Sequence, residues 1–196
     1  MSTSKLAIID INHTVNRPLG GETFIQDPYE QELIPEAIAA LKSMQQDDWV
    51  FVGASNQGGV PTWKSYENML LEMRYCQDML DEHGIYFLTI LAAIAEGEKC
   101  VQIGGYWCGG LYSHQVFYDK NVNYRKPSTG MLKKAQELAG YPQEVLMIGD
   151  RDEDFNAARR VRIPFLHAHD WHEDPTLVRT ALLKSDSREK LILPRL

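Results

Sequence analysis

Four short polar segments of this chain could carry phosphoryl chemistry between them: Asp10-Ile11-Asn12-His13-Thr14, Ser55-Asn56-Gln57, Arg125-Lys126-Pro127 and Gly149-Asp150-Arg151-Asp152-Glu153-Asp154. A carboxylate can attack phosphorus if a metal ion offsets the repulsion between two anions, and the acyl-phosphate it forms can then be hydrolysed. Asp10, at the end of an apolar run, is the candidate nucleophile. Lys126 offers a point charge to nucleophile and phosphate, Pro127 stiffens its presentation, and Arg125 could meet a second anionic group. Asp150 and Asp154 supply hard oxygen ligands of the kind Mg²⁺ takes, Asp150 directly and Asp154 through water or from behind. Each segment alone has an ordinary reading. A strand-terminal Asp caps turns, Ser-Asn-Gln before Gly58-Gly59 makes a polar turn, and Arg-Lys-Pro is usually a solvated loop. Acids at a helix start match its dipole, and Asp152 reads as an N-cap. The weight lies in the four together and in their order.

That order, spacing and flanking pattern resemble the haloacid-dehalogenase (HAD) superfamily of aspartate-nucleophile phosphatases, in particular its histidinol-phosphate, heptose-bisphosphate and polynucleotide 3'-phosphatase branch. The resemblance spans roughly residues 5 to 168. It implies a Mg²⁺-dependent phosphomonoester hydrolase. Asp10 would be the nucleophile and Thr14 would bind a phosphoryl oxygen through its hydroxyl or amide. Ser55 and Lys126 would hold the phosphoryl group, with Asn56 and Gln57 orienting the substrate. Asp10, Asp150 and the backbone carbonyl of Asn12 would bind the metal. One residue departs from the pattern. Where the family carries an aspartate that protonates the leaving oxygen and then activates water, this chain has Asn12, which keeps the shape and cannot carry the proton. General acid–base catalysis is typically worth about 10²–10⁴-fold, so turnover is expected to be slow while binding survives. Three accounts of Asn12 stand open: an Asp-to-Asn variant made to trap substrate, a natural phosphate-binding protein that does not turn over, or an enzyme using another acid such as His13. The heptose-bisphosphate branch often holds zinc, but Cys100, Cys108 and His114 lack the paired spacing that requires. His167, His169 and His172 around Trp171 read as surface loop residues.

The elements that must position these residues follow from periodicity. Leu6–Ile9, Trp49–Val52 and Val145–Ile148 are continuous apolar runs, as expected of strands buried on both faces of a parallel sheet. Ile85–Ile94 and Ile163–Leu166 complete five strands. Helical spacing covers Pro35–Met44, Trp63–His83, Met131–Ala139 and Asp152–Arg160. Alternating strands and helices imply a doubly wound, three-layer, Rossmann-like α/β fold, whose ligands sit beyond the carboxyl ends of the strands. Asp10, Ser55 and Asp150 all fall at that edge. The gap after Asn12 is too short for a large cap domain. Residues 96–120 read as a loop or small hairpin over the site mouth, and 174–196 as an amphipathic helix to about Leu183 with a charged and apolar end.

Composition bounds the rest. At 196 residues and 44% hydrophobic content the chain suits one globular domain. No apolar run approaches the roughly 18–20 residues a membrane helix needs, and Met1–Lys5 shows no signal-peptide pattern, so a cytoplasmic protein is expected. Three cysteines without close pairing argue against a disulfide scaffold. A net charge of −7 gives no footprint for wrapping nucleic acid and favours a phosphorylated small molecule as partner, with a nucleic acid 3' end kept open by the uncapped mouth.

Overall fold

A computed structural model of the chain describes residues 4–104 and 113–189. In chain order its strands are β1 (Lys5–Ile9), β2 (Asn16–Pro18), β3 (Gln31–Leu33), β4 (Trp49–Asn56), β5 (Phe87–Ile94), β6 (Lys99–Ile103), β7 (His114–Tyr118), β8 (Glu144–Gly149) and β9 (Phe165–His167). The helices are α1 (Pro35–Gln46), α2 (Tyr66–Glu82), α3 (Gly130–Leu138), α4 (Asp152–Val161), α5 (Ala168–Glu173) and α6 (Leu177–Glu189).

Seven strands form one sheet in the order β7-β6-β5-β4-β1-β8-β9, and the five from β5 to β9 in that order run parallel. β1 is central, and its alternation explains its unbroken apolar sequence. Ala7 and Ile9 join the core beneath α1 and α2, while Leu6 and Ile8 join the core beneath α3 and α4. A strand covered on both faces has no solvent side to mark with polar residues. The result is the doubly wound, three-layer α/β fold expected from the pattern, and no separate cap stands over it among the described residues.

The departures lie at the margins. Residues 96–120 were expected to arch over the site, but in their described part they form β6 and β7, an antiparallel pair that widens the sheet beyond β5. None of their described residues lines the cleft described below. The glycine- and aromatic-rich residues 105–112, with Cys108, lie outside the described residues, as do 190–196. The polar stretch after Thr14 contains the β2–β3 ribbon, which three-residue strands hid from periodicity. The histidines around Trp171 sit on β9 and α5 rather than in a loop, because Trp171 is fully buried and pins that turn of helix to the core. α2 begins at Tyr66 rather than Trp63, since Ser65 caps it by accepting from the Asn68 amide at 3.0 Å. That later start leaves Trp63 and Lys64 on the loop before the helix, where both face the cleft.

Candidate active site

Ile9 lies level with Gly53 on β4 and with Ile148 on β8, so the three strands end together and hand Asp10, Ser55 and Asp150 to one edge. An open cleft of about 480 Å³ opens there, walled by Asp10, Ser55, Lys126 and Asp154. Lys126 is buried and reaches Asp10 Oδ1 at 2.5 Å and Asp154 Oδ1 at 2.6 Å, and it also donates to the Ala54 carbonyl. Its backbone is clamped by Asn56, whose Oδ1 accepts from the Lys126 amide at 2.9 Å and whose Nδ2 donates to the Lys126 carbonyl at 2.8 Å. Asn56 thus lines the cleft and spends its amide on holding the lysine.

Charge is unbalanced on this side. Asp10, Asp150 and Asp154 can bring one carboxylate oxygen each within 4.8 Å of one another, against the buried Lys126 ammonium. Arg151, half exposed, approaches Asp150 Oδ2 only to 3.8 Å. Burial, aided by Asp154 and Asp150 and opposed by Lys126, pushes Asp10 up from 3.8 to about 7. Burial alone would lower Lys126, but Asp10 and Asp154 outweigh it and hold it above its usual value. Asp150 Oδ1 is buried with no hydrogen-bond partner among the described residues. An excess of hard, negative, under-satisfied oxygen is a donor set that fits Mg²⁺, which takes one or two protein carboxylates and leaves its other positions to water and substrate. Asp154 has a second duty. As the third residue of α4 its carboxylate accepts from the Arg151 amide at 3.2 Å, lying over Gly149, where any side chain would collide with it. Asp152, read as the N-cap, is instead the exposed first residue of the helix.

The opposite wall is self-contained. Gln57 Nε2 donates to Ser55 Oγ at 3.0 Å, and Gln57 Oε1 accepts from Lys64 Nζ at 3.4 Å. Lys64 is ion-paired with Glu72 Oε2, both side chains nearly inaccessible. Glu72 Oε1 accepts from Asn12 Nδ2 at 3.3 Å. Asn12 Oδ1 is left buried without a partner among the described residues. Behind them Gln31 of β3 donates to the Glu72 carbonyl at 3.0 Å. Lys64, Glu72 and Gln31 are functional neighbours the sequence reading missed. Glu72 had a signal: it lies among Met69, Met73 and Cys76 on the buried stripe of α2, where an unexplained carboxylate asks for a partner.

At the mouth, two adjacent glycines each seat a flat group. The Arg125 guanidinium lies against Gly58 and the Trp63 indole against Gly59, and neither position has room for a Cβ. Phe24 packs on Trp63 with ring centroids 5.6 Å apart. His13 also lines the cleft, its Nε2 bonded to the Thr23 carbonyl at 2.8 Å.

Other expected residues stand apart. Thr14 is fully buried and is not part of the cleft wall; its amide bonds the Ile11 carbonyl and its carbonyl meets His172 Nε2 at 2.9 Å. Cys100 is buried in the core, its thiol pushed up to about 12 by burial, and His114 sits on β7 against Tyr66. His167 and His169 are exposed, and among the described residues no histidine joins a group able to hold a metal.

Residues 123–167 match the HAD-hydrolase-like family model. Among solved structures, a protein from Mesorhizobium loti described as a HAD-like phosphatase superposes with a TM-score of 0.63 at 19% identity, covering 89% of this chain and 85% of its own. The D,D-heptose 1,7-bisphosphate phosphatase of B. bronchiseptica, complexed with magnesium and phosphate, gives 0.60 at 21% identity, covering 82% and 78%. The fold is that of HAD-like phosphatases. An uncharacterised Listeria monocytogenes protein shares it at 0.53 and 18% identity, covering 83% and 77%. No curated protein matches the chain by sequence. No described helix is long and apolar enough to cross a membrane.

Proposed function

We propose that this chain is a Mg²⁺-dependent phosphomonoester hydrolase of the HAD type, working through an aspartyl-phosphate on Asp10. The observation that carries the reading is the buried Asp10–Lys126–Asp154 group beside Asp150 at the carboxyl edge of the sheet. Asp10, Asp150 and the Asn12 carbonyl would hold Mg²⁺, with Asp154 behind them; the ion supplies charge neutralisation between carboxylate and phosphate. Asp10 attacks phosphorus, the bond to the leaving oxygen breaks, and that oxygen takes up a proton. Water then attacks the phosphorus and returns the Asp10 carboxylate with inorganic phosphate. Lys126 keeps Asp10 aimed and offsets charge on the phosphoryl group, and the Ser55 hydroxyl, oriented by Gln57, can donate to it. Arg125 at the mouth suits a second anionic group, as a bisphosphate would present. Asn12 cannot exchange a proton with a leaving oxygen or a water, so esters of poor leaving groups turn over slowly.

A phosphate-binding protein without turnover is a second reading, favoured by Asn12 itself. Polynucleotide 3'-phosphatase activity is a third, favoured by the Phe24–Trp63 pair at an uncapped mouth, where a base could stack. The test is 4-nitrophenolate release from 4-nitrophenyl phosphate, whose leaving group needs no acid, with Mg²⁺ and with chelator. The expected result is metal-dependent release lost in Asp10→Asn. Equal release by both proteins, or none by either, would contradict the hydrolase reading.

A further inference from the structure

We infer that Asn12 and Glu72 form a matched amide–carboxylate pair, so that the site is built for an amide at position 12 and Glu72 is its positioning residue. This rests on the phosphatase reading for its consequence in turnover, though not for the pairing.

Donors and acceptors in this group match one for one. Glu72 is buried and offers two oxygens: Oε2 takes the Lys64 ammonium and Oε1 takes Asn12 Nδ2. With both filled, the carboxylate is satisfied and its charge is balanced by Lys64. The bond to Nδ2 also fixes which way the Asn12 amide faces. Nδ2 turns to α2, and Oδ1 is left buried without a partner among the described residues.

An aspartate at position 12 would set a second carboxylate oxygen where Nδ2 now meets Glu72 Oε1, two buried acceptors with no proton between them and one ammonium for two charges. Glu72→Gln alone leaves the buried Lys64 ammonium without its counter-charge, and the Asn12 amide must rotate so that Oδ1 accepts from the new amide nitrogen, which turns Nδ2 away from its only partner among the described residues. Making the two changes together restores the count: the new amide nitrogen at position 72 would donate to the new carboxylate at position 12, the amide oxygen at position 72 would accept from Lys64, and the net charge of the group is unchanged. The pairing therefore predicts that the substitutions rescue one another.

The experiment compares the unmodified chain, Asn12→Asp, Glu72→Gln and the double substitution, each by thermal melting and by Mg²⁺-dependent phosphate release from glycerol 2-phosphate. Each single change is expected to lower Tm by about 4–10 °C and the double to recover most of that loss. Release is expected to rise about 100-fold in the double, which has a correctly bonded carboxylate at position 12, and far less in Asn12→Asp. Additive melting shifts, or an Asn12→Asp protein as stable and active as the double, would overturn the proposal. Mutual rescue in melting with no release from any of the four would uphold the pairing and overturn the phosphatase reading instead.

Discussion

The two walls of the cleft handle buried charge in opposite ways. On the β1–β8 side, Asp10, Asp150 and Asp154 face one ammonium, Lys126, and the group is left short of positive charge. On the β4–α2 side, Lys64 and Glu72 cancel each other, and Asn12 and Gln57 fill the remaining valences. A buried group that is unbalanced needs a ligand to complete it, whereas a balanced one needs only its neighbours. The first wall therefore reads as the place where a metal and a phosphate bind, and the second as the frame that sets the orientation of Asn12 and Ser55.

The contrast can be broken most severely at its first wall. Asp10→Asn is expected to reduce metal-dependent release of 4-nitrophenolate from 4-nitrophenyl phosphate to background. Lys126→Met should come next, costing about 3 kcal/mol in a metal-free denaturant titration because Asp10 and Asp154 lose their common partner. Added Mg²⁺ should return part of that loss.

A pH series sharpens the comparison without any substitution. Asp10 is raised from 3.8 to about 7 by burial, so between those values the metal-free folded chain holds a proton that the unfolded chain has released. This group's contribution to stability accordingly falls as pH rises through that window. Mg²⁺ requires the carboxylate, so the rise in Tm that it causes should be small at about pH 5 and grow to above about pH 7. The smallest effect is at the mouth: Trp63→Ala should weaken binding of an aromatic phosphate such as adenosine 5'-monophosphate by about fivefold and leave ribose 5-phosphate unchanged, read by calorimetry with Mg²⁺. Equal loss for both would place Trp63 outside substrate recognition.

The first wall was legible in the sequence, whereas of the second only Asn12, Ser55 and Gln57 were, for a physical reason. Asp10, Lys126 and Asp150 sit at the ends of long apolar strands or beside a helix start, where periodicity says both which element carries them and which way it points. The central strands and four helices were legible in the same way. Lys64 owes its place to a helix start three residues later than the apolar spacing suggests, a shift set by the Ser65 cap, whereas Glu72 lies on the apolar stripe of α2 and its partner was what the spacing did not show. β2, β3 and α5 are too short for periodicity to register, and so the brace from Gln31 to Glu72 and the contact of His172 with Thr14 were invisible. Residues 96–120 read as a loop or small hairpin, and the pairing of β6 with the edge strand β5 depends on long-range contacts that spacing alone does not carry.

The most direct measurement is the intact mass of the protein after acid quench of a mixture with Mg²⁺ and 4-nitrophenyl phosphate, followed by peptide mapping. Asn12 cannot activate water by taking its proton, so one phosphoryl group is expected to accumulate on Asp10, and chelator to prevent it. No adduct, or an adduct on another residue, would contradict Asp10 as the nucleophile.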